Sequence, residues 1–356
     1  MNINNYIFQF KEIIIYSSIL IFGVFISSCN SINNINSINS KEEIIAYQKA
    51  AKYSRAHRGL SLVVMRDGKI IFEDYPGVNS ANDVHNIYSG TKSFCGVIAV
   101  AAIMDSLITN FDELVSVTIT EWKTDPRKSK ITIRQLLKLV SGIDASESGN
   151  IPNYSEAIQS PALYDTGKVF QYGPAPFQVF GELMLRKLKP MGEDLQDYFK
   201  RRVLLPIGVN IAKWRTTDDG NLKMSAGAFL TARDWAKFGQ LILNHGRWQG
   251  KVILDEVLLN ECSLGSTTNP SYGISFWLPM NEGVNDKGEK NEKLIKELKE
   301  ISAPEFIIKA AGVGGQKLYI FPSENMVIVR QASRLPFWGR GFNDADFLAP
   351  IFKKSM

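Results

Sequence analysis

Ser89-Gly90-Thr91-Lys92-Ser93-Phe94-Cys95-Gly96-Val97-Ile98-Ala99-Val100-Ala101-Ala102-Ile103-Met104 decides how the rest of the chain is read. From Phe94 to Met104 the run is apolar on every face, which marks a helix buried at the centre of a protein and not one lying on its surface. Its first residues form an S-x-x-K, the only one in the chain. On a helix that spacing sets the serine oxygen and the lysine nitrogen on one face, a single turn apart. A helix that starts at the bottom of a cleft and is buried beyond its first turn would hold that lysine away from bulk water. The positive end of the helix and burial both penalise an ammonium, so the Lys92 pKa is expected below its ordinary value of about 10.4. A neutral Lys92 can be the base that Ser89, unreactive at its own pKa, requires. The same residues also suit a structural role, with Ser89 as a helix cap and Lys92 as a snorkelling side chain.

Upstream, Leu60 to Arg66 and Lys69 to Asp74 are β-rich runs joined by Asp67-Gly68, a two-residue hairpin signal. Before them, Ser40-Lys41-Glu42-Glu43 has the pattern of a capping box and predicts a helix to about Arg58. Downstream, helical spacing in Ile133 to Val140, Gln178 to Lys189 and Asp194 to Leu205 predicts a mainly helical lobe. Thr231 to Asn244 reads as an amphipathic helix capped by Thr231 and closed near His245-Gly246. Strand character returns in Tyr272 to Leu278, Lys317 to Phe321 and Met326 to Ala332, the last two joined by a turn over Pro322-Ser323-Glu324-Asn325. Asp344 to Phe352 reads as a closing helix. The expected class is α+β: an antiparallel sheet completed by both ends of the chain and flanked by terminal helices (41–105 and 224–356), with the helical lobe (106–223) inserted. Asn281 to Lys299 is dense in Lys and Glu and reads either as a solvated surface helix on an insertion or as a lid.

With 356 residues, 45% hydrophobic and 22% charged, the chain can bury the core of one large domain, expected over 41–356. Its net charge of +5 is dispersed among acids, which argues against a nucleic-acid partner. Residues 1–29 read as an export signal: Lys11 precedes an uncharged apolar run that closes on Ile26-Ser27-Ser28-Cys29. That closure resembles the lipobox of bacterial lipoproteins, which implies a lipid on Cys29 and an exported protein on a periplasm-facing or cell-surface membrane. Residues 30–40, alternating Asn, Ser and Ile, are expected to be a flexible linker. Of the other cysteines, Cys95 lies in the apolar run and is expected to be a buried hydrophobe, and no disulfide framework is expected.

Several further segments resemble, in order, the serine hydrolases that include class C β-lactamases, penicillin-binding DD-peptidases, related esterases and 6-aminohexanoate-dimer hydrolases. They are Ile131-Thr132-Ile133-Arg134-Gln135-Leu136-Leu137 with Ser141-Gly142, and Pro161 to Lys187 with Phe170-Gln171-Tyr172. Beyond these come Ala226-Gly227 with Thr231-Ala232-Arg233-Asp234, then Tyr272-Gly273, and Gly312-Val313-Gly314-Gly315-Gln316 ahead of a strand. The resemblance spans about Leu60 to Phe352. It implies the β-lactamase/DD-peptidase-like fold, Ser89 as nucleophile, Lys92 as its partner and Tyr172 as the tyrosine sharing their proton network. Either Lys92 or Tyr172 would then take the serine proton. It also implies an oxyanion hole from the backbone amides of Ser89 and Gln316, with Gly314 and Gly315 in a substrate-binding loop, and no cofactor or metal.

Two departures narrow the expected substrate. The family's Tyr-x-Asn is Tyr172-Gly173-Pro174 here, and a Lys-Thr-Gly is absent from the Gly312-Val313-Gly314 stretch; Lys309 and Lys317 are the nearest cations. Both favour the esterase, amidase or 6-aminohexanoate-dimer hydrolase branch over a β-lactamase or DD-peptidase, with a small ester or amide as substrate. A non-catalytic cell-wall-binding protein on the same scaffold is the alternative from another class. No G-x-S-x-G or H-E-x-x-H occurs, and His57, His85 and His245 are too scattered to suggest a triad or metal cluster.

Overall fold

The computed structural model describes residues 41–333 and 341–353. The expected signal segment with Cys29, the linker 30–40 and the cap Ser40 lie outside them. Two compact units divide the chain, 1–49 and 50–356. The described part of the first, 41–49, is helical, and the second opens with helical residues 50–56 (α1).

In the second unit, β1 (Gly59–Arg66) and β2 (Lys69–Asp74) form the expected hairpin, with Asp67 and Gly68 both at positive φ as a primed turn requires. Strand β3 (His85–Asn86) leads through a 3₁₀ turn, Tyr88–Lys92, into α2 (Ser93–Met104), whose residues from Ser93 to Ala102 are buried. The helical lobe follows with α3 (Ile133–Leu137), α4 (Tyr154–Gln159), α5 (Ala175–Leu188) and α6 (Leu195–Phe199), the last continuing as a π-helical turn over Lys200–Leu204. Then come β4 (Lys213–Trp214), β5 (Ala228–Leu230), α7 (Ala232–Leu243), the short pair β6 (Arg247–Trp248) and β7 (Lys251–Val252), α8 (Glu256–Glu261) and α9 (Glu292–Glu300). Strands β8 (Ile308–Gly312), β9 (Gln316–Phe321) and β10 (Met326–Ala332) and helix α10 (Asp344–Phe352) complete the unit.

The main sheet has the order β2-β1-β10-β9-β8, with antiparallel pairing throughout. Its central pair joins the two ends of the unit, Val63 opposite Val329. Leu62 to Met65 and Met326 to Val329 are buried without alternation, as strands covered on both faces must be. Helix α7 packs on β1, β9 and β10, and Gly239 lets it approach: a Cβ there would stand 2.7 Å from Leu318 and 2.8 Å from Val327. Thr231 caps it as expected, accepting from the Asp234 amide at 3.0 Å.

Tyr272 to Leu278 is not a strand. Gly273 has no room for a Cβ against the Cys262 carbonyl and Ser275 has φ 70, so the chain folds back and Tyr272 bridges Trp277. Helix α3 is shorter than its periodicity because Leu139 turns out of it at φ 60. Cys95 and Cys262 are buried free thiols. Among the described residues no helix is long and apolar enough to cross a membrane.

Candidate active site

Ser89 and Lys92 sit on the 3₁₀ turn, not in the α-helix that follows. With three residues per turn, positions i and i+3 eclipse, so the S-x-x-K spacing aligns the pair directly. Lys92 Nζ lies 3.2 Å from Ser89 Oγ. Local bonds hold the turn: the Tyr88 amide donates to Asn86 Oδ1 at 2.8 Å, and Thr91 Oγ1 donates to the Tyr88 carbonyl at 2.6 Å while accepting from the Ala228 amide at 3.1 Å. Tyr88, just before the nucleophile, is left-handed at φ 46. Gly90 is dictated by Trp235, whose ring would stand 2.7 Å from a Cβ at that position.

Lys92 is 4% exposed and donates also to the Ser225 carbonyl at 3.0 Å. Burial pushes its pKa down to about 7, against smaller opposing pulls from Cys95 and Asp286. Tyr172 arrives on the segment before α5. Its ring lies 4.7 Å from Lys92 Nζ and stacks on Trp277 with centroids 5.4 Å apart, and it lines the same hollow as Ser89. Burial pushes the phenol pKa well up, so it stays protonated in neutral solution. The three expected residues are therefore brought together.

The expected second oxyanion donor is displaced. Gln316 is wholly buried and pairs across the hairpin with Gly312, one strand removed from Ser89; its side chain bonds the Ala332 backbone at 2.6 and 3.0 Å. Gly312 is the residue against the nucleophile: a Cβ there would strike the Ile87 carbonyl and lie 3.2 Å from the Ser89 nitrogen. Strand β8 is the sheet edge, and Lys309 exchanges both backbone bonds with Trp277 at 2.8 Å. By strand alternation, Lys309 and Ala311 turn their backbone groups outward. Val313, in the turn just after Gly312, lines the cleft on both sides of the serine. Gly314 and Gly315, expected in a substrate loop, instead turn the hairpin at φ 83 and 84, and the Gly315 carbonyl accepts from Arg330 at 2.7 Å. Neither lines the cleft.

Ser89 opens onto two hollows of about 320 and 310 Å³. The first is walled by Tyr172, Trp277 and part of the charged insertion, with Val284, Asn285, Asp286 and Leu294 facing it. That insertion therefore borders the site and is more than a surface helix. Two buried asparagines pin it: Asn269 exchanges bonds with Val284 at 3.0 and 3.1 Å, and Asn291 bonds Gly283 and Asn281 at 2.9 and 2.8 Å. Lys309 and Lys317 also line this hollow, both gripping Asp344 of α10 at 2.7 and 2.9 Å. Asp286, Trp277 and Asp344 were not singled out from sequence. No short motif marks them, since each reaches the site through contacts distant in the chain. Among the described residues no group of three potential metal ligands occurs.

A family model described as Beta-lactamase matches residues 43–350. No curated protein matches the chain. Similar solved structures include a Bacillus anthracis protein described as a 6-aminohexanoate-dimer hydrolase, with TM-score 0.63 and 20% identity over 84% of this chain and 78% of that one. The hydrolase EstCE1, described as having promiscuous acyltransferase activity, aligns with TM-score 0.65 and 14% identity over 88% of this chain and 100% of its own. A penicillin-binding protein homologue from Caulobacter crescentus gives TM-score 0.63 and 12% identity over 86% of this chain and 96% of that one. At such identities the likeness is one of fold.

Proposed function

The chain belongs to the beta-lactamase family of serine hydrolases, with its α+β fold, and from that premise we propose that it cleaves an ester or amide through an acyl-enzyme on Ser89. The observation that carries this reading is the 3.2 Å contact between Ser89 Oγ and a buried Lys92 whose pKa lies near 7. Neutral Lys92 takes the serine proton as Oγ attacks the substrate carbonyl carbon. The Ser89 and Val313 amides receive the developing oxyanion, a contribution of about 3 kcal/mol per donor in such sites. The proton then passes from Lys92, by way of the Tyr172 hydroxyl, to the leaving oxygen or nitrogen as its bond to the carbonyl carbon breaks. A water that gives its proton back along the same path attacks the acyl-enzyme, and Ser89 recovers its hydrogen. Tyr172, held as a neutral phenol, is the donor of the pair, and Lys92 the base.

An ester or open-chain amide is favoured over a β-lactam. Pro174 offers no side-chain donor to an acyl amide, and the cations at Lys309 and Lys317 are already engaged by Asp344. The test is hydrolysis of p-nitrophenyl butyrate and of a chromogenic cephalosporin, each with the Ser89→Ala variant. Turnover of the ester alone, abolished in the variant, is the expected result. Cephalosporin turnover would place the chain with the β-lactamases, and a folded protein that acylates with neither would be a binder.

A further inference from the structure

The second hollow beside Ser89 differs in charge from the first. Its lining includes Arg215, Lys223, Ser225, Asn86 and Pro174, and none of its lining residues is acidic. Arg215 and Lys223 have no carboxylate partner among the described residues, unlike Lys309 and Lys317 across the serine. The two cations are set side by side by a tight backbone return: the Lys223 amide donates to the Arg215 carbonyl at 2.8 Å and the Arg215 amide to Gly227 at 2.9 Å. The Arg215 guanidinium rests over the Phe229 ring, 5.0 Å from its centroid, which limits its wandering. Ser225 gives a second, independent sign. It is 1% exposed, its carbonyl is taken by Lys92, and its hydroxyl oxygen has no partner. A buried hydroxyl left open beside two unpaired cations is a set of donors awaiting an acceptor.

We propose that this hollow is an anion subsite, and that the substrate's acyl group ends in a carboxylate which Arg215, Lys223 and the Ser225 hydroxyl receive. The substrate class is then a half-ester or half-amide of a dicarboxylic acid, with the leaving group on the Trp277 and Asp286 side. This rests on the hydrolase reading and deepens it. Pro174, which also lines the hollow, presents only a ring, so the charged donors set the preference.

The experiment compares the p-nitrophenyl monoester of glutaric acid with p-nitrophenyl butyrate, which share a leaving group and differ by the terminal carboxylate. The expected kcat/KM ratio at low salt is about tenfold or more in favour of the glutarate ester, shrinking as added salt screens the cations. In the Arg215→Gln, Lys223→Gln double variant the ratio should collapse towards one, while Arg215→Lys should retain part of it. A wild-type ratio near or below one, or a ratio unchanged in the double variant, overturns the subsite. If butyrate is cleaved in a Ser89-dependent way without that preference, the hydrolase reading stands and this one falls. If neither ester is cleaved, calorimetric binding of free glutarate to the Ser89→Ala protein decides. Saturable binding lost in the double variant sustains the subsite, and no binding overturns it.

Discussion

Lys92 is bonded to a hydroxyl and a carbonyl, and burial outweighs every charge near it. With its pKa near 7, the residue is an ammonium in mild acid and a free amine in mild base. The sign follows directly: only the amine accepts the Ser89 proton, so kcat/KM for p-nitrophenyl butyrate should fall about tenfold per pH unit below 7 and level off above it. A profile flat from pH 5 to 8 would remove Lys92 from the base role. The Ser89, Lys92 and Tyr172 set was legible because short motifs and the order of family landmarks mark it. The place of Val313 at the cleft was not, because it depends on Gly312 meeting Ile87, a contact between segments far apart in the chain.

At the scale of elements, the site is a 3₁₀ turn laid against the edge strand β8. Gly312→Ala tests that contact. The added methyl must push the Ile87 carbonyl and the Ser89 amide apart, at a stability cost of about 1–3 kcal/mol. Because the displaced amide is itself an expected oxyanion donor, kcat should fall by more than about a hundredfold, well beyond what partial unfolding explains. Kinetics with a thermal melt on the same sample checks it; a normal kcat would mean that β8 does not position the serine. Most elements followed their periodicity, α7 and α10 nearly to the residue. The misreading of Tyr272 to Leu278 has a physical source: its aromatic composition is that of a strand, but Gly273 and Ser275 reverse the chain so that Trp277 can bond Lys309.

On the scale of the molecule, the closing helix α10 reaches the cleft through Asp344, which holds Lys309, Lys317 and the Tyr319 hydroxyl. Burial alone would raise the Asp344 pKa, but the two lysines hold it well below the usual carboxylate range. Asp344→Ala leaves two buried ammonium groups facing each other and should cost about 3–5 kcal/mol of stability at neutral pH. The lowered pKa means that the stabilisation is complete above the unfolded carboxyl value of about 3.9 and is lost as pH falls from there towards the folded value. The gap between wild type and variant in urea unfolding should therefore hold from pH 7 to about 5 and narrow in stronger acid. A gap independent of pH would count against the charge account. That both ends of the chain complete the sheet could be read from the aliphatic runs at each end, whereas the register of β1 on β10 could not, since it joins residues far apart in sequence. This closure sets a timetable for a chain made from its first residue to its last. Ser89 and Lys92 leave the ribosome early, but β8 and Asp344, which frame the cleft, emerge more than two hundred residues later. The Ser89 and Lys92 pair therefore has no complete cleft around it until β8 and Asp344 have been made and have folded against it.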